Sequence, residues 1–185
     1  MKFFSRLMCL GVAFAIPVSV LSQTNTPSPV PDLRSRILET AEASVGSKMW
    51  TGYGLANGKL GCAAALSNVL KKSGCNYAHS AAVVVIRKQL LNSPLNLQEI
   101  SIKKSEAYGV DQNLLRKIAS PGDLIFGYKT TPDKPNTGGD AHCGVVAANS
   151  NVYGNDWGDG VWKRVEVDRY FAWYPFVYVI KTNSK

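Results

Sequence analysis

The chain has 185 residues, 45% of them hydrophobic and 18% charged, with a formal net charge of +8. That size and apolar share suffice for one globular core, and they exclude a disordered chain or a small scaffold that needs disulfides to fold. The basic excess suits attraction to anionic envelope polymers or lipid headgroups, or serves solubility alone, and nucleic acid is not expected as the partner of an exported chain.

Residues 1–22 read as a secretory signal peptide. Lys2 and Arg6 precede the apolar run Leu7–Ile16, Pro17 breaks that run, and Val20 and Ser22 suit cleavage after Ser22. The run falls well short of the roughly 20 residues that span a bilayer, so stable membrane insertion is not expected. Cys9 lies inside the run and not at a cleavage point, which argues against a lipoprotein. A secreted or periplasmic location follows. Cleavage removes Lys2 and Arg6, and the formal charge falls from +8 to +6. Residues 23–31 are a Pro-rich linker, and residues 32–185 form the folded domain.

Asp32 is placed to cap a helix reaching about Val45, stopped by Gly46. The loop 47–61 holds Trp50, Tyr53 and several glycines, so backbone and aromatic surface can approach a ligand there. A second helix runs from Cys62 to Ser73, with Cys62, Ala65, Leu66, Val69 and Leu70 on one stripe and Gly74 as its stop. Ala81–Leu91 reads as a third helix, although Val83–Ile86 also suits a strand. After Pro121-Gly122 the pattern turns to strands: Asp123–Tyr128, Ala141–Ala148, Val152–Asn155, Val161–Val167 and Phe176–Lys181. Helices followed by strands predict an α+β fold, with N-terminal helices packed on an antiparallel sheet. The Pro- and Gly-containing stretch Lys129–Asp140 reads as a loop beside the second strand. The aromatic cluster Tyr170–Phe176 reads as core and sheet cover, with glycan stacking on Trp173 as the other reading.

Cys62 is the candidate nucleophile, because the free N–H groups and partial positive charge of a helix N-terminus stabilise a thiolate. Cys75 follows the same helix at its opposite pole. The base must be His79 or His142. In a strand, His142 and Cys143 point to opposite faces, so these neighbours do not form a nucleophile–base pair. A two-residue turn at Asn149-Ser150 sets Gly144 opposite Asn155, which places Asn155 diagonally beside His142 as its orienting group. A three-residue turn shifts the register by one and brings Asp156 there instead. Asn155 is preferred, and a turn- or loop-capping role for it stays open.

Zinc is not expected, for want of a close Cys-x-x-Cys pair. Cys62, Cys75 and Cys143 are expected as free thiols, since a helix about 18 Å long separates Cys75 from the end at which the other two belong.

Four segments in order resemble the NlpC-type, papain-like cysteine peptidases that cleave peptidoglycan stem peptides, with the CHAP amidases as close relatives. They are Ala41-Glu42-Ala43-Ser44-Val45-Gly46, Gly61-Cys62-Ala63-Ala64, Pro121-Gly122-Asp123-Leu124-Ile125-Phe126 and His142-Cys143-Gly144-Val145-Val146. The resemblance covers almost the whole mature domain. It implies a papain-like fold with a Cys62 nucleophile, a His142 base and a polar third residue near Asn155, with no cofactor or metal. Gly61 and Ala63 fall at its substrate-recognition positions beside the nucleophile, and Trp50 and Tyr53, in the neighbourhood of its binding tyrosine, are the other candidate substrate-binding residues. The family's Asp and Ser beside the nucleophile are Gly61 and Ala63 here, and its tyrosine before the Gly-rich loop has no clean match among Met49, Trp50 and Tyr53. The implied activity is hydrolysis of an amide bond in peptidoglycan or another envelope peptide. A different amide or ester substrate, and an inactive envelope-binding or inhibitor module, are the competing expectations.

Overall fold

The computed structural model describes residues 32–133 and 140–182. The predicted signal peptide, the linker 23–31 and residues 134–139 of the loop after the first predicted strand lie outside the described residues.

The described residues form a mixed α and β fold with five helices and an open, six-stranded antiparallel sheet. Helix α1 (Leu33–Ala43) begins where Asp32 accepts the Ser35 N–H at 2.8 Å. Helix α2 (Cys62–Lys72) follows a short 3-10 turn at Gly58–Leu60. Helix α3 (Val83–Leu91) buries Val83, Ile86 and Leu90 while Val85 stays exposed. That helical spacing overrides the strand propensity of its valines.

The strands are β1 (Gln98–Lys104), β2 (Leu124–Tyr128), β3 (Ala141–Val146), β4 (Asn151–Asn155), β5 (Trp162–Glu166) and β6 (Phe176–Lys181), in the spatial order β1-β6-β2-β3-β4-β5. Alternation divides them between two cores. Leu124, Phe126, Cys143, Val145, Tyr153, Trp162 and Ile180 pack with α1, α2 and α3. On the other face Ile125, Val146, Val152, Val177 and Val179 pack with residues of two further helices, α4 (Gln112–Ile118) and α5 (Val167–Phe171).

The register between β3 and β4 corrects the expectation for Asn155. The turn is the predicted two-residue one, with Asn149 and Ser150 at φ of 60° and 57°, as a type I′ hairpin requires. Yet Asn151 donates to the Ala148 carbonyl at 3.3 Å while its own carbonyl accepts the Ala147 N–H at 2.8 Å. Ala147 and Ala148 together oppose Asn151, a β-bulge that shifts everything beyond it by one residue. Val146 therefore pairs with Val152 and Gly144 with Gly154. Continuing outward, the position opposite His142 is Asp156. Asn155 pairs with Trp162 and shares the helical face with it.

A buried ionic knot fixes the start of β2. The Asp123 carboxylate accepts N–H groups of Ser120 and Thr182 at 2.8 and 2.9 Å and lies 2.7 Å from Lys181 Nζ. It ties the turn before β2 to the end of β6, and so holds the strand beside β3 in place.

Candidate functional site

Cys62 is the first residue of α2, and its N-cap Gly61 makes no side-chain capping bond, so the helix presents backbone N–H groups at this end. Glycine is needed at position 61 because Trp50 lies against it: a Cβ there would meet the Trp50 Cβ at 2.5 Å. The indole also covers Gly58, so Trp50 is a wedge behind the nucleophile loop and not an open ligand platform. Ala63 is fully buried, which corrects its expected contact with substrate; it serves the site through its backbone N–H. Tyr53 is turned to His79, with its hydroxyl 2.6 Å from Nδ1, and neither is among the groups that perturb Cys62.

The half-buried Cys62 thiol points toward the Ala141 carbonyl at 3.9 Å, at the start of β3. It therefore meets β3 at that strand's first residue, next to His142 and Cys143 in the chain. The Cys143 thiol, hydrogen-bonding toward the Cys62 sulfur, is the largest influence pulling the Cys62 pKa well below that of an ordinary thiol. Burial opposes this, and the His142 hydrogen bond, the His142 charge and the Ala63 N–H add to it. Cys143, fully buried, is pushed well above the ordinary thiol value by burial and by Cys62. Of the two, Cys62 ionises first. Cys62, Cys75 and Cys143 are all unbonded, and burial raises Cys75.

His142 projects from β3 into the second core, between aromatic rings. Its centroid lies 4.8 Å from Tyr170, 5.4 Å from Trp157 and 5.5 Å from Phe171. Its Nε2 is buried without a hydrogen-bond partner and faces Gly154, where an added Cβ would approach to 3.3 Å. Asp156, buried on the same side, holds the cage from below. It accepts the Tyr170 hydroxyl at 3.2 Å and the Gly158 N–H at 2.8 Å, with Lys163 and Arg169 at 3.8 and 3.7 Å. Burial, then Asp156, raises the Tyr170 pKa, so the hydroxyl stays protonated as the donor. Tyr174 lies near both thiols electrostatically, and burial keeps it neutral.

The structure thus brings Cys62, His142 and Cys143 together and leaves Asn155 elsewhere. Asn155 Nδ2 donates to the Gly58 carbonyl at 2.6 Å, anchoring the loop that leads into Cys62. Its role is the loop-capping one, because the bulge turned it to the opposite face from His142. Trp157, expected opposite His142 from the two-residue turn, does lie against it, although the paired position is Asp156; Tyr170 and Phe171 were not foreseen, and their only mark in the sequence is aromatic density after β5. Among the described residues, no group of three or more His, Cys, Asp or Glu is arranged to hold a metal, and no helix is long and apolar enough to cross a membrane. No family model matches the chain, and no curated protein matches it.

Proposed function

We propose that the chain is an exported cysteine hydrolase of papain-like design that cleaves an amide bond in a peptidoglycan or other envelope peptide. The supporting observation is the Cys62 thiol, held at a helix N-terminus beside His142 with its pKa drawn well down. The Cys62 thiolate attacks the amide carbonyl carbon, and N–H groups at the start of α2 receive the developing oxyanion. With Nε2 turned to Gly154, His142 Nδ1 is the nitrogen that holds the proton and passes it to the leaving amine. Water, deprotonated by the same imidazole, then attacks the thioester and releases the acid, restoring the thiolate.

The aromatic cage orients the imidazole in place of a directly bonded polar residue: Tyr170 lies against the ring and is itself fixed by Asp156. A second reading keeps this apparatus for another amide or ester. It is favoured by the complete burial of Ala63 and Ala64, which leaves no polar side chain at those positions to recognise a charged peptide end.

The test is digestion of purified peptidoglycan, followed by mass analysis of released fragments. The native chain is expected to release peptides, and Cys62→Ala to release none while still unfolding in one cooperative urea transition. Release that survives Cys62→Ala would sink the hydrolase reading. Release of nothing by either chain, with turnover of a simple ester that needs Cys62, would move it to the second reading.

A further inference from the structure

Cys143 has no place in the hydrolytic scheme, yet it lies on the face of β3 against which Cys62 packs. The juxtaposition follows from topology: Cys62 sits 3.9 Å from the Ala141 carbonyl, two residues along β3 from Cys143, and both cysteines belong to the same core. Cys143 is one of the innermost residues of that core, whereas Cys62 is half-buried, so a solvent-borne oxidant reaches Cys62 first. Being the first residue of α2, Cys62 has its N–H outside the intrahelical ladder, and its side chain can turn without breaking a helix hydrogen bond.

We propose that Cys62 and Cys143 are a built-in oxidation site, in which a peroxide oxidises Cys62 and Cys143 resolves it to a reversible intramolecular disulfide. Cys62 thiolate attacks one peroxide oxygen; the O–O bond breaks, the S–O bond forms, and the departing hydroxide takes up a proton to leave as water. Cys143 sulfur then attacks Cys62 sulfur; the S–S bond forms, the S–O bond breaks, and the hydroxide leaves as water with the Cys143 proton. Two thiols are oxidised by two electrons and one peroxide is reduced to two waters. The product sequesters the nucleophile and spares it from irreversible over-oxidation. The depressed Cys62 pKa supplies the reactive thiolate, and this chemistry requires no hydrolytic activity.

The experiment treats the full, reduced chain with hydrogen peroxide, blocks remaining thiols with iodoacetamide under denaturing conditions, and maps the peptides without reductant. Expected is a Cys62–Cys143 cross-linked peptide lighter by two hydrogens, with Cys75 alkylated and Cys62 labelling restored by dithiothreitol. Cys143→Ala, in contrast, is expected to carry Cys62 on to sulfinic acid that dithiothreitol does not recover. Sulfinic acid on Cys62 of the native chain, with Cys143 still alkylatable, overturns the proposal, as does a Cys62–Cys75 cross-link or no oxidation at all. The native-chain map decides even if the Cys143→Ala chain fails to fold. A chain that forms the cross-link but turns over neither peptidoglycan nor a simple ester refutes the hydrolase and keeps the disulfide; one that releases fragments but over-oxidises does the reverse.

Discussion

Replacing Asp156 by Asn separates the two registers and tests whether the aromatic cage holds His142. Asp156 is 3% exposed and accepts two hydrogen bonds, from Gly158 N–H and the Tyr170 hydroxyl. Hydrogen bonds to a charged acceptor contribute about 1.5–3 kcal/mol and neutral ones about 0.5–1.5, so converting both costs about 2 kcal/mol. The ion pairs add less: Lys163 and Arg169 are 36% and 58% exposed, and such pairs contribute about 1 kcal/mol or less. Asp156→Asn is therefore expected to destabilise by about 2–3 kcal/mol, read as a urea midpoint lowered by about 1–2 M at unchanged slope. Cys62 alkylation by iodoacetamide should slow as well, because Tyr170 loses the acceptor that fixes it against the imidazole. Tyr170→Phe keeps the ring but removes the same hydrogen bond to the charged acceptor, so it should cost about 1.5–3 kcal/mol and slow alkylation as well. A midpoint unmoved by Asp156→Asn would refute the buried network, and a lowered midpoint with native alkylation would refute its hold on His142.

Four further outcomes are expected. Labelling of Cys62 should reach half its maximal rate well below pH 9 and fall as pH drops through its folded pKa, whereas Cys75 should label only above the ordinary thiol range; matching profiles would contradict the helix-terminal thiolate. By linkage, the stability from that depressed pKa is present above the unfolded thiol value and lost as pH falls through the folded one, so the Cys62→Ala destabilisation should shrink over that window. Gly154→Ala puts a Cβ 2.9 Å from Tyr170 and 3.3 Å from His142 Nε2; a cost of about 1–3 kcal/mol and slower Cys62 alkylation are expected, the alkylation rate being the readout specific to the site. Asp123→Ala strands Lys181 beside a 0% exposed position, and calorimetric or urea unfolding should register a loss of about 3–5 kcal/mol.

The helices around the nucleophile were legible because their boundaries are chemical: Asp32 caps α1 and Gly74, at φ of 81°, follows the last turn of α2. The orienting group was not. Asn149-Ser150 marks the turn, but nothing in Ala147-Ala148 marks a bulge, and one extra alanine exchanges the faces of Asn155 and Asp156. Strand β1 was hidden by its polar composition, with Lys103 buried and donating to the Ala172 carbonyl at 2.7 Å. Helix α4 is only seven residues long and depends on the Asp111 cap, and α5 starts at Val167, directly after the last residue of β5. Helix α5 supplies Tyr170 and Phe171 beside His142, so the surroundings of His142 were the least readable part of the site.

Strand alternation separates His142 from Cys143 into two cores, and that argument holds inside the sheet. It does not stop both from acting on one sulfur, because Cys62 meets β3 at its first residue, at the Ala141 carbonyl. His142 arrives from the aromatic side and the second thiol from the helical side. A change in the aromatic cage should therefore alter the pairing of His142 with Cys62 and leave the cross-link to Cys143 in reach, while a change at Cys143 should do the opposite. The separation that makes adjacent residues useless to each other makes them independent partners of a third residue.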